Sequence, residues 1–468
     1  MQREQLSSRL GFILLSAGCA IGVGNVWKFP YLVGENGGGI FVLIYLVFLA
    51  IMGIPVMAME FSMGRAAQKS PVRMYNELVP KQKAWRFHGY VCLAGNIILM
   101  MFYTTVSGWM LQYFYFMVSG KFDNMTSSAQ ISGVYDEMLT RPSILIIFLA
   151  IVIIIGFGIC ALGVQKGIEK VSKFMMLALL GIMLVLVFNN IFLDGGLDGI
   201  KYYLVPDIAK MKDVGIVRVI TNAMNQAFFT LSIGMGSMAI FGSYIDKKRS
   251  LLGEAVSVAT LDTFVAFCSG LIIIPACSAF DVSYTAGPPL IFKTLPNIFV
   301  NMWGGRVFGS LFFIFMSFAA LSTVLGVFEN ILASLQEMIN WSRKKLCLIG
   351  AVVMFALSLP CVLGFNLLSN FHPLGGSTNV LDLEDFIVSN IILPLGSLVF
   401  VLFCTNDRFW GWKKFTEEAN QGKGLKVANW MRIYMKYILP FIIIALFVLG
   451  MVFYWIDLLG IKIDFLNT

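Results

Sequence analysis

Five oxygen-bearing side chains, Asn25, Thr230, Asp262, Ser322 and Thr323, sit inside stretches of chain that otherwise read as hydrocarbon. Oxygens of this kind suit a hard cation. A carboxylate at membrane depth costs about 2.5 to 3.5 kcal/mol even on insertion scales, so Asp262 calls for a positively charged partner. Ser322 and Thr323 are adjacent hydroxyls, and a hydroxyl in a membrane helix ordinarily bonds back to its own carbonyls. Taken alone, then, they carry little; their meaning depends on what faces them.

Two interruptions in the apolar pattern supply candidates. The run Ser16–Pro30 places Gly18, Gly22, Gly24 and Asn25 where an apolar helix should continue, and Thr230–Ser237 does the same further on. Unpaired backbone within a bilayer costs several kcal/mol per group and survives only where it lines a protein-walled cavity. A broken helix exposes carbonyls at the end of one half and N–H groups at the start of the next. Carbonyls suit a cation or an ammonium, amides suit a carboxylate, and a zwitterionic amino acid carries both groups. The carbonyls of Ala20 and Thr230, the Asn25 amide oxygen, the Thr230 hydroxyl and Asp262 could form one sodium cage. The carbonyls of Gly18, Ile21 and Ala319 with the hydroxyls of Ser322 and Thr323 could form a second.

The elements that must hold these groups follow from composition. Of 468 residues, 58% are hydrophobic and 13% charged, a balance that defines an all-α polytopic membrane protein. With roughly 20 apolar residues per crossing, eleven spans are expected, beginning near Leu10, Ile40, Tyr90, Ser143, Val171, Val217, Ala255, Gly305, Leu348, Phe386 and Ile433. The net charge of +8 is not a nucleic-acid footprint. Its lysines and arginines fall in alternate loops, as the positive-inside rule requires. That pattern puts the amino terminus in the cytoplasm, the carboxyl terminus outside, and the chain in the inner (cytoplasmic) membrane. The eight cysteines and two histidines show no metal-ligand spacing, and no phosphate loop or nucleophile elbow is present. An enzyme is not expected.

The breaks fall in the first and sixth spans, five spans apart. This is the spacing of a five-plus-five inverted repeat, in which a pseudo-two-fold axis brings both breaks to the midplane. The chain is expected to be one transporter domain over 1–468. A first repeat runs over 10–193, a second over 217–406, and an additional helix over 433–456.

The motifs that carry a specific resemblance are Gly22-Val23-Gly24-Asn25-Val26-Trp27-Lys28-Phe29-Pro30-Tyr31, Glu35-Asn36-Gly37-Gly38-Gly39, Met59-Glu60-Phe61-Ser62-Met63-Gly64-Arg65 and Phe228–Gly236. Together with Gly53-Ile54-Pro55 and Thr294-Leu295-Pro296 they extend over nearly the whole chain, which resembles the neurotransmitter:sodium symporter family, in its bacterial amino-acid branch with eleven spans. The resemblance implies a first sodium site at Ala20, Asn25, Thr230 and Asp262, completed by the substrate carboxylate. It implies a second at Gly18, Ile21, Ala319, Ser322 and Thr323. The implied substrate pocket is Ala20, Val23, Gly24, Leu99, Tyr103, Phe229, Thr230, Ser232, Met235, Thr323 and Val327. In it Tyr103 would donate to the carboxylate and Phe229 would roof the substrate. Lys28 and Asp385 match the outer gate; Arg3, Ser243, Tyr244 and Glu337 match the inner one, where Leu6 replaces an expected tryptophan.

Departures from the family pattern sharpen the expectation. Gly22 stands where amine-transporting relatives have aspartate, so the substrate must bring its own carboxylate. Asp262 replaces an asparagine and Ala266 a serine or glutamate, while Tyr45 and Gln226 of the chloride-binding set remain. A fixed negative charge beside sodium does the work of chloride, so chloride-independent transport is expected. Met235, at the turn where many relatives have phenylalanine, gives the pocket a flexible wall suited to bulky hydrophobic or aromatic L-amino acids such as leucine, tyrosine or tryptophan. The expected partners are that amino acid, co-transported sodium and the lipid bilayer, with monomer and homodimer both open. The alternatives are a transport-dead amino-acid sensor and a proton-coupled transporter of the same fold.

Overall fold

The computed structural model describes residues 6–191, 193, 195–280 and 290–459, with the side chains of 457 and 459 left aside. Among these residues the regular structure is helical throughout, without a strand. Nine helices are long and apolar enough to cross a bilayer: Gly39–Ala67, Lys83–Val118, Pro142–Ala161, Val164–Ile191, Leu251–Ala279, Gly305–Ile339, Arg343–Leu363, Val380–Thr405 and Met431–Ile456. These are the second to fifth and seventh to eleventh of the expected spans. The first is a broken pair, Arg9–Ala20 and Gly24–Glu35, bent by 59°. The sixth falls short of spanning length in either piece, because its break divides it into Ile216–Thr230 and Ser237–Gly242.

The third and eighth spans form the centre, with 72% and 78% of their most apolar windows buried in protein, against 28% to 33% for the fifth, ninth and eleventh. Without a hydrophobic drive between helices in lipid, such packing rests on close contact and interhelical hydrogen bonds. The eighth helix has 35 residues, about 52 Å at 1.5 Å per residue. It therefore reaches well beyond a hydrocarbon layer of about 30 Å.

Each break is stabilised by side chains from elsewhere. In the sixth span, Ser232, Gly234 and Gly236 take φ of 50°, 97° and 71°, which stops the helix outright. The freed Gly234 N–H donates to Glu60 Oε1 of the second span at 2.5 Å, and the Met235 carbonyl accepts from Asn96 Nδ2 of the third at 2.9 Å. Asn96 is itself held by the Ser237 hydroxyl at 3.2 Å. In the first span the helix ends at Ile21, whose ψ of 102° turns the chain out of the helical path. There the Gly22 N–H donates to Asn25 Oδ1 at 3.2 Å and the Val23 N–H to the Tyr103 hydroxyl at 3.0 Å. The two breaks thus survive because Glu60, Asn96, Asn25 and Tyr103 replace the missing helical partners.

Candidate functional site

Asp262 is fully buried on the seventh span between the two breaks. Its Oδ2 accepts from the Thr230 hydroxyl at 2.9 Å and its Oδ1 from Asn25 Nδ2 at 2.8 Å. Asn25 Nδ2 also lies 2.8 Å from Thr230 Oγ1. Three of the four residues expected at the first cage are therefore in mutual contact, and Ala20 ends the first half-helix beside them. One detail departs from expectation: the Asn25 amide turns its nitrogen toward Asp262, its oxygen being engaged by Gly22. Two acceptors, Asp262 and Thr230, face a single donor, and that explains the orientation. A cation between them would demand the amide oxygen instead, so ion binding there requires the amide to turn over.

The second expected group also converges. The Thr323 hydroxyl lies 3.2 Å from the Ile21 carbonyl, 3.4 Å from that of Gly18 and 3.5 Å from that of Ala319. Ser322 donates to the Ala319 carbonyl at 2.8 Å. The back-bonding ordinary for membrane hydroxyls is present, yet the same hydroxyls face the unwound carbonyls of the first span.

Beside both groups is a small cavity of about 20 Å³, lined by Ala20, Gly22, Gly24, Leu99, Tyr103, Phe229, Ser232, Met235 and Thr323 together with Val388 and Leu393. The sequence reading missed Val388 and Leu393, apolar residues of the tenth span whose letters do not separate a pocket wall from a lipid-facing surface, even with Ser389 and Asn390 beside Val388. Of the other expected pocket residues, Thr230 faces Asp262, Val23 lines the outer cavity, and Val327 is buried without reaching either. Above Phe229 is a larger cavity of about 240 Å³ that also touches Val23, Gly24, Lys28, Tyr103, Asp382 and Asp385. Phe229 lines both and divides them.

Gly22 has a steric role that the family comparison alone does not reveal. A Cβ at this position would stand 2.2 Å from the Tyr103 hydroxyl and 2.7 Å from Thr323 Oγ1. Any side chain here, aspartate included, must displace both. Tyr103 itself accepts from Val23 N–H at 3.0 Å.

Lys28 and Asp385, expected at the outer gate, both line the outer cavity without pairing directly. Lys28 Nζ instead stands 4.1 Å from the centroid of the Phe229 ring, and Asp385 accepts from the Ser389 hydroxyl at 2.7 Å. The ring face gives the ammonium a partner that the aspartate, held by its own helix, does not.

On the opposite side Arg3 lies outside the described residues. Glu337 accepts from the Ser70 N–H at 3.1 Å and the Ser70 hydroxyl at 2.6 Å. Ser243 donates to the Ile240 carbonyl at 2.6 Å, and the Tyr244 carbonyl accepts from Leu6 N–H at 3.2 Å. The Tyr244 hydroxyl donates to Glu329 at 2.5 Å, and Glu329 forms a fork with Arg343, whose Nε donates to the Cys160 carbonyl at 2.7 Å. Glu329, fully buried, was missed, although a glutamate in the apolar run Val327-Phe328-Glu329 carries the signal that singled out Asp262. Glu169 accepts from Ser7 N–H at 2.9 Å and Ser7 Oγ at 2.5 Å, tying the amino-terminal segment to the fifth span.

Two broken helices with their polar partners turned inward at mid-depth define a secondary transporter. The comparisons identify which kind. The family model "Sodium:neurotransmitter symporter family" matches residues 3–131 and 121–459, and the chain belongs to that family. It is 34% identical to the sodium-dependent transporter YhdH of Bacillus subtilis, over 85% of this chain and 87% of the relative. To a sodium-dependent transporter of Haemophilus influenzae it is 31% identical, over 96% and 98%. The crystal structure of MhsT in complex with L-phenylalanine superposes with a TM-score of 0.86 at 35% identity, covering 95% of this chain and 99% of that one. The protein is thus a multi-pass membrane transporter of the five-plus-five inverted-repeat fold, a sodium-dependent symporter of a small molecule.

Proposed function

We propose that this symporter takes up a bulky hydrophobic or aromatic L-amino acid with sodium and without chloride. The observation that carries the reading is the contact of Asp262 with both Thr230 and Asn25: a buried carboxylate whose neighbours come from the two breaks. Sodium at the first group, joined by the substrate carboxylate, neutralises Asp262 and links the two ligands through a shared charge. Each then raises the affinity of the other by the same factor. A second sodium takes the oxygens of Gly18, Ile21, Ala319, Ser322 and Thr323. With Asp262 supplying negative charge permanently, chloride has no task. Tyr45 and Gln226 remain buried nearby with Oη and Oε1 unengaged.

The amino acid is read from the walls. Leu99, Phe229, Met235, Val388 and Leu393 are apolar, and the bound ligand of MhsT, L-phenylalanine, is of this class. The cavity of about 20 Å³ admits little more than a water, so a large side chain enters as the Met235 thioether and the Phe229 ring move. The Tyr103 hydroxyl hydrogen meets the carboxylate, and the carbonyls of the broken spans meet the ammonium. Each sodium entering down a 100 mV potential supplies about 2.3 kcal/mol.

The reading places the amino terminus in the cytoplasm and the carboxyl terminus outside, in a bacterial inner membrane, with repeats over 10–193 and 217–406 and an added helix at 433–456. Uptake of labelled amino acids into proteoliposomes, with sodium, chloride and pH varied separately, tests it. Leucine, tyrosine, phenylalanine or tryptophan should accumulate with sodium and equally well in gluconate and chloride. Uptake that needs chloride, or none that needs sodium, rejects the proposal.

A further inference from the structure

Between the start of the third span and the second half of the tenth lies a groove of about 430 Å³, lined by Trp85, Phe87 and Val91 on one side and Ile392, Leu395 and Val399 on the other. Its walls are almost wholly apolar. The one titratable side chain, His88, is buried and committed to the Tyr75 hydroxyl at 2.6 Å. Phe87 is 74% exposed and Tyr90 49% exposed, so the groove opens toward hydrocarbon. Ala84 to Val91 on one helix and Ile391 to Val399 on the other span about 10 to 12 Å at 1.5 Å per residue, most of the roughly 15 Å depth of one leaflet.

The mouth of the groove is cationic. Lys81 precedes the third span, Lys83 begins it, Arg86 lies in its first turn, and Arg408 follows the tenth. None of the four takes part in an ion pair among the described residues. They are held close to one another: Gln82 Nε2 donates to the Arg408 carbonyl at 2.7 Å, and the rings of Trp85 and Phe409 are 4.5 Å apart. The acid next to Arg408 is spoken for, since Asp407 pairs with Arg432 at 2.7 Å. Glu77 is the single acid between Gln68 and Arg86.

We infer that this groove binds an anionic phospholipid of the cytoplasmic leaflet, one acyl chain lying along the tenth span and the phosphate against Lys83, Arg86 and Arg408. The leaflet follows from the orientation given under Proposed function. The unpaired cations at its mouth favour an anionic lipid over an apolar partner helix. A lone acyl chain fits, and each cation near an anionic headgroup contributes about 1 kcal/mol. The site adjoins the transport machinery, because Ile392 of its wall and the Met235 sulfur converge on Gly95.

Trp85 is a built-in reporter. The full-length protein is reconstituted in phosphatidylcholine without sodium or amino acid, and a small mole fraction of lipid brominated at mid-chain is added, as phosphatidylglycerol or as phosphatidylcholine. The quenching lost in Trp85→Phe is the part due to the groove. That part should require about tenfold less brominated phosphatidylglycerol than brominated phosphatidylcholine, and the triple variant Lys83→Gln, Arg86→Gln, Arg408→Gln should abolish the difference. Equal quenching by the two lipids in the unsubstituted protein overturns the inference without recourse to any variant. So does a preference that survives in the triple variant or, should that prove unstable, in Lys83→Gln, Arg86→Gln alone. Because no ligand is transported, failure here leaves the transport reading standing, and failure of uptake leaves this one.

Discussion

Lys28 Nζ rests 4.1 Å from the centre of the Phe229 ring, so the cation of the outer cavity sits on the roof of the central one. Such a contact is worth about 0.5 to 2 kcal/mol, the larger figure where water is excluded. A double-mutant cycle with Lys28→Met and Phe229→Leu, read from amino-acid binding in sodium, should show coupling in that range. The cycle of Lys28→Met with Asp385→Asn should show less than about 0.5 kcal/mol. Larger coupling to Asp385 than to Phe229 would mean that the bound state closes through the acid pair.

Gly22 has no room for a side chain between Tyr103 and Thr323. Gly22→Ala should lower amino-acid affinity by about ten- to a hundredfold, since overpacking costs about 1 to 3 kcal/mol and displaces the Tyr103 hydroxyl proposed to meet the carboxylate. Equilibrium binding checks this, with size-exclusion behaviour confirming the fold. A companion Tyr103→Phe should lose about tenfold and tolerate Gly22→Ala better, because the nearest obstruction is then gone.

Asp262 gains its importance from its two neighbours. Asp262→Asn keeps the shape and removes the charge, so the half-saturating sodium concentration for binding should rise about tenfold or more, corresponding to at least about 1.4 kcal/mol. Sodium titrations monitored by intrinsic fluorescence would show it. If sodium affinity is unchanged, the charge of Asp262 plays no part in holding the ion.

The sequence reveals these groups unequally, for physical reasons. Spans announce themselves because hydrocarbon excludes charge, and the breaks because glycine, serine and asparagine interrupt an otherwise uniform apolar run. Asp262, Thr323 and Asn25 were legible as polar outliers. The same logic reaches Glu60, which caps the sixth-span break, and Glu329, though neither was drawn out from pattern alone. Val388 and Leu393 carry no such mark: an apolar residue lining a pocket and one facing lipid are the same letter. Rotation is hidden as well. Nothing in the order of residues tells that the Asn25 amide turns its nitrogen to Asp262, or that Lys28 prefers a ring to a carboxylate. These depend on which acceptors the surrounding helices have already engaged.

Glu329 leads to the last prediction. Its carboxylate is buried, takes the Tyr244 hydroxyl, and is answered by Arg343 from the start of the ninth span. Removing one partner of such a pair strands the other, at about 3 to 5 kcal/mol, whereas replacing both by apolar groups of similar size is often neutral or better. Arg343→Met should therefore lower the thermal unfolding midpoint in detergent by several degrees, while Arg343→Met with Glu329→Leu should recover most of it. The double variant should still not restore transport rates. The Glu329 acceptor of the Tyr244 hydroxyl is then gone, and Leu6, bound to the Tyr244 carbonyl, loses part of what fixes its seat. Recovery of stability and full uptake together would show that the triad only supports the fold. Recovery of stability alone separates its part in closure from its part in folding.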